Sequence, residues 1–320
     1  MSNQKPLNKH VAGFFLSLNA ALMWGMLPVA IKELLAGMDA TTIVWYRFLV
    51  AGIVLGLWLL ATRNLPHITG TSIRLHKLML IAALALSCNY FLFSYSLNFV
   101  NAETSEAVIQ LTTLFLILGG VIIYKESFVA VQKIGTLLIV LGLALFFHDR
   151  IRELSSLANR ETIGVIIVVF AAITWVIYAL LQKQLLRDFS SVQILFFIYM
   201  FAIVLLLPFI RPASLLQLSP FHAWLLVFCC VNTLVAYGSF AEALNCWEAS
   251  KVSAILALAP LFTIGTLKLI VWINPDYAFS DHLSLLSILG ALLLVFGSVM
   301  TALVPMIYQR RLDRLAKGIT

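Results

Sequence analysis

Three carboxylates and one guanidinium stand within or beside apolar stretches of this sequence, where an uncompensated charge is costly and therefore informative. Glu103, Glu106, Gln110 and Thr113 recur at intervals of three or four residues, which places them on one face of a helix. Such a face is unfavourable against lipid and suits a watery cavity, Glu106 being the carboxyl placed to exchange a proton. The plainer reading of Glu103 and Glu106 is a helix start, where the dipole favours negative charge. Arg47 lies in the run TTIVWYRFLVAG, roughly a quarter to a third of the way along its helix at about 1.5 Å per residue. A basic residue at mid-membrane costs roughly 2.5 to 3.5 kcal/mol, so Arg47 either reaches for the interface or pairs with a carboxylate. Glu106 is the first partner to test, and a structural ion pair competes with an anion site for substrate. Glu242, in AYGSFAEALN, also has two readings: a partly buried carboxyl able to exchange a proton, or a structural partner of Lys251.

Weaker polar stripes accompany these charges. Ser87, Tyr90, Ser94 and Asn98 share one helical face, and Asn232, Ser239 and Glu242 another. Hydroxyls and amides at such positions either line a cavity or hydrogen-bond between helices. The six histidines, His10, His67, His76, His148, His222 and His282, fall at segment ends on different loops. Nothing resembles the HExxH of a zinc enzyme, the paired aspartates that hold a diphosphate through a metal, or the GxxxxGK[ST] loop that would couple ATP. Cys88, Cys229, Cys230 and Cys246 have no metal-site or disulfide spacing and read as small buried hydrophobes. The expectation is a protein without metal or cofactor that is not an enzyme.

The elements that must position these groups follow from composition. Of 320 residues, 62% are hydrophobic and 11% charged, and the mean hydropathy is +1.01. Those values exclude a soluble enzyme, a disordered chain and a nucleic-acid binder. A membrane-spanning helix needs about 20 mainly apolar residues, and ten such segments are drawn: 11–31, 41–62, 78–100, 107–124, 129–147, 162–181, 192–210, 223–241, 252–273 and 283–307. The fold class is an all-α integral membrane protein, with short loops and no extramembrane domain. The first segment is too long for a signal peptide and lacks a cleavage site. The net charge of +7 sorts by side. With the N-terminus inside, Lys5, Lys9, Arg63, Arg74, Lys77, Lys125, Lys133, Lys183, Arg187, Lys251, Arg310, Arg311, Arg314 and Lys317 face the cytoplasm, against Lys32, Arg150, Arg152, Arg160 and Arg211 outside. That bias predicts two cytoplasmic termini.

The chain also matches itself. GFFLSLNAALMWGMLPVAIKELL from Gly13 aligns without a gap to GVIIVVFAAITWVIYALLQKQLL from Gly164, sharing Trp24/Trp175 and Lys32/Lys183. Tyr90, Phe93, Leu97 and Asn98 match Tyr237, Phe240, Leu244 and Asn245, and the last helices share glycines seven apart, Gly135/Gly142 and Gly290/Gly297. Five helices per copy is an odd number, so the second copy enters from the opposite side. Ten helices in two inverted repeats is the architecture of alternating access. The expected division is a cytoplasmic 1–10, repeats at 11–147 and 162–307, a periplasmic linker at 148–161 and a basic cytoplasmic 308–320. Gly52 and Gly56 form a GxxxG that predicts close helix packing, with a homodimer as the second reading.

With AALMWGMLPVAIK in the first helix, Arg47 in WYRFLVAG, YKESF ending the fourth helix and LAPLF in the ninth, the sequence resembles the EamA-type transporters of the drug/metabolite transporter superfamily over residues 11 to 307. The resemblance implies a bacterial inner-membrane carrier whose relatives move amino acids, nucleobases, sugars or other small metabolites, often outward. It also implies a central cavity near the first helix of each half, hence near Trp24, Trp175 and Tyr178, whose ring faces can hold a cation. The expected substrate contacts are Trp24, Tyr90, Ser94, Gln110, Thr113, Trp175, Tyr178 and Tyr237, with Arg47, Glu106 and Glu242 for proton coupling or ion pairing. The chain departs from the family pattern at Thr113, where a proline is usual and where the counterpart Pro260 keeps it; a symmetric site is therefore not expected. The function read from all this is proton-coupled transport, in the export direction, of a small polar metabolite such as an amino acid, with small-molecule substrate and membrane lipids as partners. A flippase for a lipid-linked headgroup and an importer of a nucleobase or quaternary amine are the alternatives.

Overall fold

A helix satisfies its own backbone hydrogen bonds, so apolar runs bounded by short polar residues fold as helices in hydrocarbon. The computed structural model describes residues 6–66, 72–125, 128–154, 156, 158–247, 249–281 and 283–316, with the side chains of 303–316 outside that description. Lys5, His67, Glu126, His282 and Lys317 lie outside the described residues, as do the side chains of Arg152, Asn245, Arg310, Arg311 and Arg314.

The helices are α1 (Pro6–Leu34), α2 (Ala40–Ala61), α3 (Ile73–Ser96), α4 (Ala102–Ile109), α5 (Leu111–Tyr124), α6 (Ala130–Phe146), the single turn α7 (Ile151–Leu154), α8 (Arg160–Leu185), α9 (Ser191–Leu206), α10 (Pro220–Cys246), α11 (Ala249–Leu256), α12 (Ala259–Ile273) and α13 (Leu285–Ala316). Asp39, Ser72, Asn159, Ser190 and Ser219 start α2, α3, α8, α9 and α10 by accepting a backbone N–H of the first turn, the usual work of an N-cap side chain.

Among the described residues, nine helical stretches are long and apolar enough to cross a bilayer, and α6 is a shorter apolar helix of 17 residues. Two of the nine are broken. α4 and α5 form one span, Ala102–Ile123, interrupted at Gln110, and α11 and α12 form another, interrupted at Ala257 and Leu258. The fourth span thus begins at Ala102, five residues before the expected Ala107, so Glu103 and Glu106 lie inside it rather than at its approach.

Packing pairs helices across the chain. α1 runs against α10 and α12, α3 and α5 against α8, α2 against α9, and α6 against α13. At the α6–α13 contact a side chain on Gly135 would meet the carbonyl of Gly297, and one on Gly142 the carbonyl of Gly290, each at 2.8 Å. The four glycines read from the sequence therefore face one another in antiparallel register, where backbones touch because no Cβ intervenes. Gly52 and Gly56 turn to Met200 and Phe196 of α9. That close-packing face is taken within the chain, by α9.

The bundle has two ends. His10 and Trp247, joined by a 3.0 Å hydrogen bond, mark the near end, where α1 begins. Lys32, whose ammonium donates to the carbonyls of Leu97 (2.6 Å) and Val100 (3.0 Å), marks the far end.

Candidate functional site

Between the broken spans lies a cavity of about 430 Å³, within the range typical of small-molecule sites. Both breaks open onto it, since Gln110 and Ala257 line it. Pro260 lacks an N–H, so the Leu256 carbonyl loses its donor, and Pro28 does the same to Trp24. Trp24 and Leu256 are both lining residues. Interrupted helices at a cavity leave polar backbone where a solute can use it.

The charged side of the cavity belongs to α2 and α4. Arg47 and Glu106 are 3% and 6% exposed and both line it. Arg47 Nε donates to Thr233 Oγ1 at 3.0 Å, and the Thr233 hydroxyl donates to the Cys229 carbonyl at 3.0 Å, so Thr233 holds the guanidinium from behind. The guanidinium also lies 4.8 Å from the centre of the Tyr90 ring, a favourable cation–π placement. The expected pairing with Glu106 is not formed. Among the described residues Arg47 has no carboxylate within salt-bridge distance, because Thr233 and Tyr90 hold it instead. Glu106 likewise has no ion-pair partner among the described residues. A guanidinium and a carboxyl group thus face one cavity without forming an ion pair.

The aromatic side is built from both halves. Tyr90 and Tyr237 stack with centroids 6.5 Å apart, and Trp24 meets Tyr237 edge-on at 5.3 Å. Trp175 completes the apolar wall with Phe93 and Leu27.

Of the expected substrate contacts, Trp24, Tyr90, Gln110, Thr113, Trp175 and Tyr237 line the cavity, as do Arg47 and Glu106. Three fall elsewhere. Ser94, one turn beyond Tyr90 toward the far end, is buried outside the lining. Tyr178 packs in a core cluster with Leu86, Ile198 and Tyr199. Glu242 is an exposed residue of α10, away from the lining. The sequence reading missed Asn89, Ser253, Ser298 and Thr301 as lining residues. Asn89, whose amide donates to the Ala171 carbonyl at 2.8 Å, is adjacent to Tyr90 and was within reach of the stripe argument. Ser298 and Thr301 stand among the apolar residues of α13, whose composition carries no sign of a cavity.

The far end is closed by polar contacts. Asp281 accepts hydrogen bonds from Asn101 Nδ2 (3.0 Å) and Thr104 Oγ1 (2.6 Å) and lies 3.6 Å from Arg150, which pairs with Glu161 at 2.6 Å. Glu103 Oε1 accepts from the Ser280 hydroxyl (2.8 Å) and the Asp281 N–H (3.1 Å). Glu103 is therefore part of this closure and not of the cavity wall. Tyr277 donates to Glu33 at 3.0 Å; burial, and then the Glu33 carboxylate, push its phenol above the ordinary range, which keeps it a donor at neutral pH.

Comparison with known proteins gives the chain a family. The EamA-like transporter family matches residues 11–148 and again 162–303. An "uncharacterized transporter" of Haemophilus influenzae is 38% identical over 301 residues, covering 94% of this chain and 96% of that protein. The "uncharacterized inner membrane transporter YhbE" of Escherichia coli K12 is 39% identical over 292 residues, 91% of each chain. A solved structure, described as "Crystal structure of protein", shares the fold with a TM-score of 0.61 at 14% identity, over 92% of this chain and 98% of its own. The chain belongs to the EamA-like transporter family.

Proposed function

We propose that this inner-membrane protein is a secondary carrier for a small zwitterionic metabolite, with amino acids and related compounds as the first class to test. The observation that carries this reading is the pair Arg47 and Glu106, which face one cavity and do not neutralise each other. A carboxylate on the guanidinium and an ammonium against Glu106 would satisfy both charges with the solute itself. The aromatic wall of Trp24, Trp175 and Tyr237 receives the remainder.

Transport runs by alternating access of two inverted five-helix repeats, 11–147 and 162–307. The antiparallel seating of Gly135 on Gly297 and of Gly142 on Gly290 supports inversion, because repeats related by an axis along the membrane normal would bring Gly135 to Gly290. The excess of basic residues at the near end supports cytoplasmic termini. A distant relative, the "probable amino-acid metabolite efflux pump" of Escherichia coli K12, is 21% identical over 296 residues and supports both the substrate class and export. Glu106 is the residue assigned to proton coupling.

Proteoliposomes loaded with radiolabelled amino acids, nucleobases and choline test the reading. Amino acids should cross faster than in empty liposomes, and their N-acetylated and amidated derivatives, each lacking one charge, should not. If no panel member crosses in either direction, with or without a proton gradient, the proposal fails.

A further inference from the structure

The cavity is unequal at its two ends. Near the near end its lining includes exposed residues, Ser253 of α11 and Leu116 of α5, whereas Leu27, Arg47, Tyr90 and Glu106 toward the far end are buried. What lies beyond Glu106 is one turn of α4 carrying Glu103 and Thr104, and over that turn sits the segment between α12 and α13, at residues 277–281. From the contacts there, we infer that Asp281 is the hub of a far-end gate, a clasp that must open in each transport cycle.

The hub binds two separate parts of the chain. Asn101, Thr104 and, through the Asp281 N–H, Glu103 hold it to the α3–α4 corner, and Arg150 holds it to the turn before α7. Tyr277 fastens the same segment to Glu33 of α1, and Arg160 of α8 donates to the Asn98 carbonyl at 3.2 Å. Beside the apolar packing of Val29, Ala102 and Leu267, the α12–α13 segment, α1, the α3–α4 corner and α8 are thus joined at the far end by charged or hydrogen-bonded contacts. Such contacts exchange readily for water, whereas the glycine-to-glycine seating of α6 and α13 does not.

The clasp is also incompletely satisfied. Glu103 Oε2 is buried and, among the described residues, has no hydrogen-bond partner. A buried carboxylate oxygen without a donor is a cost borne by the closed state. Opening hydrates it, which offsets part of the loss of the Asp281 contacts. The closure is thus poised rather than locked.

The inference rests on the alternating-access reading, and one experiment separates the two. In a chain with Cys88, Cys229, Cys230 and Cys246 replaced by alanine, Leu27→Cys places a thiol in the cavity wall. A membrane-impermeant maleimide is applied to right-side-out and to inverted vesicles, and the ratio of slow-side to fast-side labelling is measured. Asp281→Ala should raise that ratio about tenfold, and Thr104→Val and Asn101→Ala, each removing one donor, about threefold. Asp149→Ala, whose carboxylate pairs with its neighbour His148, should leave it unchanged. Slow-side labelling that is present but equal in the parent and all clasp variants overturns the gate while leaving alternating access intact. Labelling from one side only in every variant overturns both. If Asp281→Ala does not accumulate in the membrane, the two single-donor variants decide.

Discussion

The two halves of this transporter share a framework and differ in chemistry. The register that aligns Tyr90 with Tyr237 sets Glu106 opposite Ser253, Gln110 opposite Ala257, Thr112 opposite Ala259 and Thr113 opposite Pro260. All of these but Pro260 line the cavity. The first half thus presents a carboxylate, an amide and two hydroxyls where the second presents one hydroxyl and two methyl groups. In α2 and α9, the register that aligns Gly13 with Gly164 sets Arg47 opposite Ile198, which is fully buried. Backbone features are kept on both sides: each half has a broken span at the cavity, and the paired rings Phe48/Tyr199 and Tyr90/Tyr237 stack. The lesson is that the matched helices share backbone features, while the polar chemistry of the cavity is concentrated on one wall.

Five substitutions would sharpen or break this contrast. The largest effect belongs to Arg47→Leu, which removes the cationic side of the site; uptake of a transported amino acid into proteoliposomes should fall roughly 100-fold or more. Glu106→Gln should follow, with about a tenfold loss and a flat dependence of uptake on the imposed proton gradient; retention of the normal gradient dependence would take Glu106 out of the coupling step. Gly142→Val tests the shared framework instead of the one-sided chemistry. Its side chain would strike the α13 backbone at Leu294 and Gly290, so thermal unfolding in detergent should show a loss of roughly 1 to 3 kcal/mol, and Gly290→Val should match it if the halves are structurally equivalent. The smallest effect is expected at Ser253→Ala, the weak counterpart of Glu106, where uptake should change by about twofold or less. A loss at Ser253 as large as that at Glu106 would show that both walls read the solute.

Much of this was visible in the sequence, and the pattern of hits and misses has a physical logic. Glu106, Gln110 and Thr113 were found because an intramembrane polar stripe is expensive and keeps a helical period. The glycine pairs stand out in the sequence because the chain matches itself there, and the structure adds that they are seated against one another. Glu103 belongs to the same stripe yet serves a different part of the protein, since a face that is continuous along α4 passes from the cavity into the far-end closure within one turn. The expected Arg47–Glu106 pair did not form because Thr233 and Tyr90, distant in sequence, already hold the guanidinium. Residues such as Ser298 and Thr301 were invisible because a hydroxyl on an apolar helix looks the same whether it packs or lines a cavity.

Composition and periodicity by themselves determined the membrane class, most of the helices and the repeated register, because each depends on hydrocarbon solvation acting locally along the chain. Only the tertiary structure decided which charges remain unpaired in the cavity, where the spans break, and that Asp281 reaches the α3–α4 corner. Those outcomes depend on which side chains from distant segments arrive within hydrogen-bond distance of one another, and no local periodicity encodes that.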